Sequence, residues 1–279
     1  MAKKIIYLDN AATTKVDGKV AEEVEKVFLE GYGNASSQHQ CGRNAKKILE
    51  DAREKIARFI NAKPSEIIFT SGGSEGNNLA LKGVAFHPDN KNKKHIIVSQ
   101  IEHSSILESC KTLEKNGYEV DYVPVDKDGI VDVGEIRKKI RKDTLLVSVM
   151  HVNNEIGTIQ PIEEIGKLCR GRGVYFHSDC VQSFIKLDID VEKMNIDMIS
   201  VSGHKVFAPK GIGFLYVQED VKISPIIDGG AHENNLRAGT ENVAGAAGLA
   251  AAIDVKKDKK KIERIRDRIL DGVAGVAGA

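Results

Sequence analysis

Lys205 stands in the run Ser202-Gly203-His204-Lys205, straight after the apolar stretch 198–201 and shortly before the turn Pro209-Lys210-Gly211. A lysine that loses its water shell has a lowered pKa and becomes an amine nucleophile. Polar residues follow other apolar stretches in the same way. Ser71-Gly72-Gly73-Ser74 follows 66–70, His103 follows 95–99 and Asn154 follows 144–150. Asp179 and Gln182 follow 174–178. Two glycines and two serines before a helix expose several backbone N–H groups at the positive helix end, which suits a phosphate. The same residues also make an ordinary helix cap. No Gly-Lys-Ser/Thr follows them, so this is not a P-loop. His103 is open to a capping or a catalytic role. Asp179 is a carboxylate beside core-like residues and needs a partner, structural or functional.

Taken together, a phosphate cradle, a carboxylate and a reactive lysine are what pyridoxal 5'-phosphate requires. The lysine bonds the aldehyde, and the carboxylate keeps the pyridine nitrogen protonated so that the ring draws electrons. His103 is expected to stack on the ring. Asn154 and Gln182 are expected at the ring oxygen, Ser202 at the phosphate, and His204 either at the phosphate or beside Lys205 as a group that lowers its pKa.

These residues must be held by regular elements. Strand patterns at 66–70, 95–99, 119–125, 144–150, 174–179, 198–202 and 213–217 alternate with helical patterns. The helices are expected at 21–30, 45–60, 75–86, 105–117, 133–140 and 162–173. The alternation predicts an α/β fold, a mostly parallel seven-stranded sheet between helices, with ligands bound beyond the carboxyl ends of the strands. A basic helical stretch, 254–270, reads as a solvated face.

The 279 residues suffice for a large core, with 41% hydrophobic residues. Lys plus Arg total 41 against 40 for Asp plus Glu, so no excess charge draws the chain to nucleic acid or a membrane surface. Cys41, Cys110, Cys169 and Cys180 are too scattered for a disulfide framework or a zinc site. The first residues do not read as a signal peptide, and no apolar run reaches membrane-spanning length. The expected location is cytoplasmic.

The motifs YLDNAATT (7–14), YGNASSQHQCGRNA (32–45), FTSGGSEGNNLALKG (69–83) and EHSSIL (102–107) occur in order. HVNNEIGTIQPI (151–162), FHSDCVQS (176–183), SGHKVFAPKGIGFLY (202–216) and GGAHENNLRAGTEN (229–242) follow. Over nearly the whole chain this series resembles the cysteine desulfurases, class V members of the fold-type I pyridoxal-phosphate enzymes. The resemblance implies that Lys205 bonds the cofactor and that Gly73, Ser74, Ser202 and His204 hold its phosphate. It implies Asp179 at the pyridine nitrogen, Gln182 and Asn154 near the ring oxygen, and His103 stacking and moving protons. Thr240 would reach the phosphate of the partner subunit in a homodimer. The implied reaction takes sulfur from L-cysteine, leaving alanine and an enzyme persulfide. A scaffold protein for iron–sulfur clusters or a tRNA-thiolation protein would accept that sulfur.

The resemblance divides the chain into an N-terminal segment lining the site (1–15), a cofactor-binding large domain (16–253) and the start of a connecting helix (254–279). The family's persulfide cysteine and substrate-carboxylate arginine belong to a small C-terminal domain, which is expected to be largely absent here. Cys180 stands where the family usually has alanine and reads as a packed residue; Cys41 stands where it often has an aromatic. Ala208 replaces glycine, His232 glutamine and Ala238 serine. A related class V lyase or aminotransferase, such as a selenocysteine lyase, is one alternative, and a non-catalytic cofactor-binding remnant is another. NNEIGT and RAGTEN favour a desulfurase over an aminotransferase.

Overall fold

The computed structural model describes residues 5–256 and 258–276. Seven strands, β1 (Ile67–Thr70), β2 (His95–Ser99), β3 (Glu119–Val123), β4 (Thr144–Ser148), β5 (Tyr175–Asp179), β6 (Met198–Ser202) and β7 (Gly213–Val217), form one sheet in the order β1-β7-β6-β5-β4-β2-β3. β7 runs antiparallel to both neighbours, and the remaining pairs are parallel. All seven expected strands are present. β3 stops before Pro124, which has no N–H to continue the ladder.

Side chains alternate across the sheet with the two-residue period of a strand. Ile97, Val147 and Ile199 enter one core layer, and Ile96, Leu146 and Met198 the other. The first layer is covered by α1 (Gly18–Glu30) and α2 (Gln40–Phe59). On α2, Ala45, Leu49, Ala52 and Ile56 recur at helical spacing and are all buried. The second layer is covered by α3 and α4 (Ser104–Lys115). α3 runs from Gly73–Asn78 through a wider turn, Leu79–Gly83, into Val84–Phe86. Short α5 (Val133–Lys139) and α6 (Ile162–Arg172) complete the crossovers.

Helical periodicity gives no sign of α7 (Val243–Ala252). Its sequence, VAGAAGLAAA, is apolar on every side, so it has no amphipathic stripe to detect. It packs on α1 and α2. Its small residues permit that close approach: a Cβ on Gly248 would lie 2.5 Å from Val24 Cγ2. The basic helix begins later than expected, as α8 (Lys259–Ala274) capped by Asp258, and none of its residues is buried.

Candidate functional site

A cavity of about 380 Å³ opens at the carboxyl ends of β5 and β6, against the start of α3. Gly73, Ser74, His103, Asn154, Asp179, Gln182, Ser202, His204 and Lys205 all line it. Thr240 does not; it is exposed in the loop ahead of α7.

Asp179 ends β5 and is 5% exposed. Its Oδ2 accepts from Asn77 Nδ2 at 2.7 Å, and its Oδ1 from the Val181 N–H at 3.0 Å. Burial pushes the carboxyl above the usual range; these two donors, and the positive field of His103 and Lys205, oppose that rise. A cation presented from the cavity would favour the charged form. Asn77 comes from α3, one helical turn beyond Gly73, and its Oδ1 is buried without a partner.

The floor beside Asp179 is the start of α3. Its cap residue, Gly72, has φ +151°, a backbone form that L side chains rarely adopt. A Cβ on Gly73 would lie 2.6 Å from Val181 Cγ2. No side chain caps this helix end, while the buried Ser202 and half-buried His204 stand on the same cavity. Gly72→Ala is expected to cost about 1–3 kcal/mol of backbone strain, read as a lower melting temperature with intact secondary structure.

Lys205 is half-buried, not buried as its place after a core strand suggests. The sheet ends at Ser202, and a tight turn, Gly203–Lys205, carries the lysine out to the rim. Its Nζ donates to Ala11 O at 2.6 Å and Ala12 O at 2.8 Å. Partial burial lowers its pKa, while Asp9, Asp179 and Glu155 oppose that shift. The N-terminal segment is strapped across this turn. Thr14 donates to His204 O from both its N–H and its hydroxyl, and that hydroxyl accepts from the Phe207 N–H. Gln182 Nε2 also donates to Ala11 O, at 2.9 Å. Ala208 fits this turn fully buried, so the missing glycine leaves no local conflict.

His103 caps a helix, one of the two roles its sequence position leaves open, and also stands on the cavity. Its Nδ1 accepts from the Ser105 N–H and lies 2.8 Å from Ser105 Oγ, capping α4, while the residue lines the cavity. Asn154 lines the same cavity, with its Nδ2 on Glu155 Oε1 at 2.6 Å. Buried Asn153, overlooked in the sequence, anchors that turn: its Oδ1 accepts from Glu155 and Ile156, and its Nδ2 donates to Ile101 O.

Thr240 follows a strained turn. Glu233, Asn234 and Asn235 have φ of 43°, 55° and 63°. A buried ion pair holds them there, with Arg53 Nη1 and Nη2 each 2.8 Å from a Glu233 carboxylate oxygen. Glu233 Oε2 also accepts from the Phe69 N–H. Arg237 Nε meets Glu75 Oε1 at 2.9 Å, which ties the segment to α3 as well.

Cys110, Cys169 and Cys180 are fully buried, and burial pushes the thiols of Cys110 and Cys180 up to about 12. Cys180 is a packed residue. Cys41 is exposed in the first turn of α2 and does not line the cavity. Among the described residues no cluster of His, Cys, Asp or Glu could hold a metal, and no helix is long and apolar enough to cross a membrane.

Residues 6–271 match the model of the family described as Aminotransferase class-V. The cysteine desulfurase IscS of Dictyoglomus turgidum is 49% identical over 267 residues, covering 95% of this chain and 68% of that protein. This chain belongs to the cysteine desulfurase family of class V aminotransferases. Its relatives include the cysteine desulfurase IscS of Methanosarcina thermophila, 46% identical over 97% of this chain and 68% of that protein. Among solved structures, a NifS-like protein superposes with a TM-score of 0.94 at 40% identity, covering 98% of this chain and 77% of the other. A structure described as SspA in complex with cysteine gives 0.88 at 41% identity, covering 95% and 78%. This chain spans 68% of the length of either IscS relative.

Proposed function

We propose that this protein is a pyridoxal-phosphate-dependent cysteine desulfurase whose cofactor sits in the cavity at Lys205. The observation that carries the reading is the convergence of three unlike groups on one cavity: an uncapped helix start, a buried carboxylate and a lysine amine. Each matches a different part of the cofactor. Gly73, Ser74, Ser202 and His204 would hold the phosphate. Asp179 would face the pyridine nitrogen, Gln182 and Asn154 the ring oxygen, His103 the ring face, and Lys205 the aldehyde. When bound, the cofactor supplies an electron-withdrawing ring that labilises bonds at the amino acid's α- and β-carbons.

The protein's own groups do the rest. Asn77 fixes the Asp179 carboxylate from below and keeps one oxygen oriented. The carbonyls of Ala11 and Ala12 hold the Lys205 ammonium at the cavity until it gives up its proton. With Nδ1 engaged by Ser105, His103 has Nε2 to hold or move a proton over the cavity. Thr240, exposed on its braced loop, would serve the site of a second copy in a homodimer.

The substrate reading is L-cysteine, supported by the relatives' names and by the solved neighbour holding cysteine. Sulfur leaves the substrate for a thiolate, and no cysteine among the described residues lines the cavity. The acceptor downstream is proposed to be an iron–sulfur scaffold or tRNA-thiolation protein, and the compartment the cytoplasm. Incubating the cofactor-loaded protein with L-cysteine and dithiothreitol, whose thiolate takes the sulfur and which is oxidised to its cyclic disulfide, should release alanine and sulfide in equal amounts. Pyruvate and ammonia, or no product from a loaded protein, would contradict the assignment. Cys180→Ala should leave cofactor absorbance and product ratio unchanged and cost about 1 kcal/mol of stability for a small core truncation. Loss of sulfur release in that variant would make Cys180 the acceptor.

A further inference from the structure

Glu102 is buried at the end of the loop after β2, directly before His103, and is 5% exposed. One oxygen, Oε1, accepts from Ser99 Oγ at 2.5 Å and from the Met150 N–H at 2.9 Å. The other, Oε2, is buried with no partner. Ser99 closes β2, and Met150 lies two residues beyond β4, the neighbouring strand. Glu102 therefore pins two adjacent strand ends together behind the cavity. Asn153 repeats the tie through Ile101 O and the Met150 sulfur at 3.3 Å. Both loops then project a cavity residue, His103 from one and Asn154 from the other.

A buried carboxylate anion needs a cation or a full set of donors. Glu102 has neither. Asp179 lies close enough from β5 for its charge to disfavour a second anion, and the buried Cys110 of α4 brings no positive charge. Among the described residues no lysine, arginine or histidine pairs with it.

We infer that Glu102 is a positioning residue that works as a neutral carboxylic acid, clamping the ends of β2 and β4 so that His103 and Asn154 are both held on the cavity. Its neutrality leaves Asp179 as the anion beneath a bound cation. This role rests on the proposed site for its link to the cofactor, but the protonation state stands independently of it. Burial pushes the carboxyl up from an ordinary 4.5 to about 8, consistent with a retained proton at neutral pH.

The sign of the pH dependence follows. A carboxyl raised in the folded state stabilises fully below its unfolded value, and that stability is lost as pH rises through the folded one. Glu102→Gln keeps the acceptor for Ser99 and Met150 and cannot ionise. It should melt close to wild type near pH 4.5, with the variant's advantage widening to at least about 3 °C at pH 8. A gap that stays flat, or a variant less stable than wild type at pH 8, overturns the neutral acid. An infrared difference spectrum between the two proteins at pH 7 should show a carboxylic-acid carbonyl band from wild type; carboxylate bands instead overturn it as well. For positioning, Glu102→Ala should bind pyridoxal phosphate about tenfold more weakly, a difference of ~1.4 kcal/mol. Glu102→Gln should stay within about twofold, under ~0.5 kcal/mol. Equal affinity in all three overturns the clamp. If wild type takes up no cofactor, the functional reading fails while melting and infrared still decide the proton.

Discussion

Lys205→Ala is expected to abolish the yellow colour of the cofactor-loaded protein and to lower alanine release from L-cysteine by about 10³-fold or more, the scale of losing a covalent catalytic group. The lysine contributes in two ways that alanine cannot. Its amine is the nucleophile for the aldehyde, and its partial burial shifts it toward the neutral form. Its structural contribution is modest: two hydrogen bonds to Ala11 and Ala12 carbonyls at a half-exposed rim. The variant should therefore remain folded, and far-ultraviolet circular dichroism serves as the control. Lys210, five residues along and fully at the surface, supplies a second control. Lys210→Ala should keep the colour. A yellow Lys205→Ala protein would move the cofactor lysine elsewhere.

Asp179→Ala should weaken pyridoxal-phosphate binding by about 2–5 kcal/mol, the usual effect of deleting one partner of a buried, hydrogen-bonded charge pair. The apoprotein tells the opposite story. Burial already raises this carboxyl, so its charge is a liability until a cation faces it. The variant should then melt near wild type without cofactor but lose most of the cofactor-dependent gain. For wild type that gain is about 2.7 kcal/mol at a ligand concentration one hundred times Kd. An unchanged gain in Asp179→Ala would remove Asp179 from the pyridine nitrogen. The carboxylate's pH sign agrees: acidification through its raised folded value should neutralise Asp179 and release cofactor before the fold melts.

The strands were legible because β-branched runs of five to seven residues stand between helical patterns, and three of them, β2, β6 and β7, match residue for residue. The cavity was legible for a related reason. In a parallel sheet every strand ends on the same side, so the residues after each run converge without any knowledge of tertiary contacts. What lay outside this logic is equally physical. Lys205 looked buried because a core strand precedes it, but the turn at Gly203 redirects the chain within three residues. Asn77 and Asn153 are ordinary amides in sequence; burial and partners alone mark them. Glu102 reads as a surface charge until the structure shows it under two strand ends. Thr240 follows no strand at all, so only family resemblance, and no pattern, singles it out. α7 was silent because an all-apolar helix has no period to read.

The most direct test of the account is to trap the cofactor where it binds. Reduction of the pyridoxal-phosphate-loaded protein with borohydride makes the bond between cofactor and lysine permanent, and peptide mass spectrometry then locates it. The account predicts one pyridoxyl-phosphate adduct, on Lys205. An adduct on Lys210, Lys186 or another lysine, or none from a protein that retains cofactor, would contradict it.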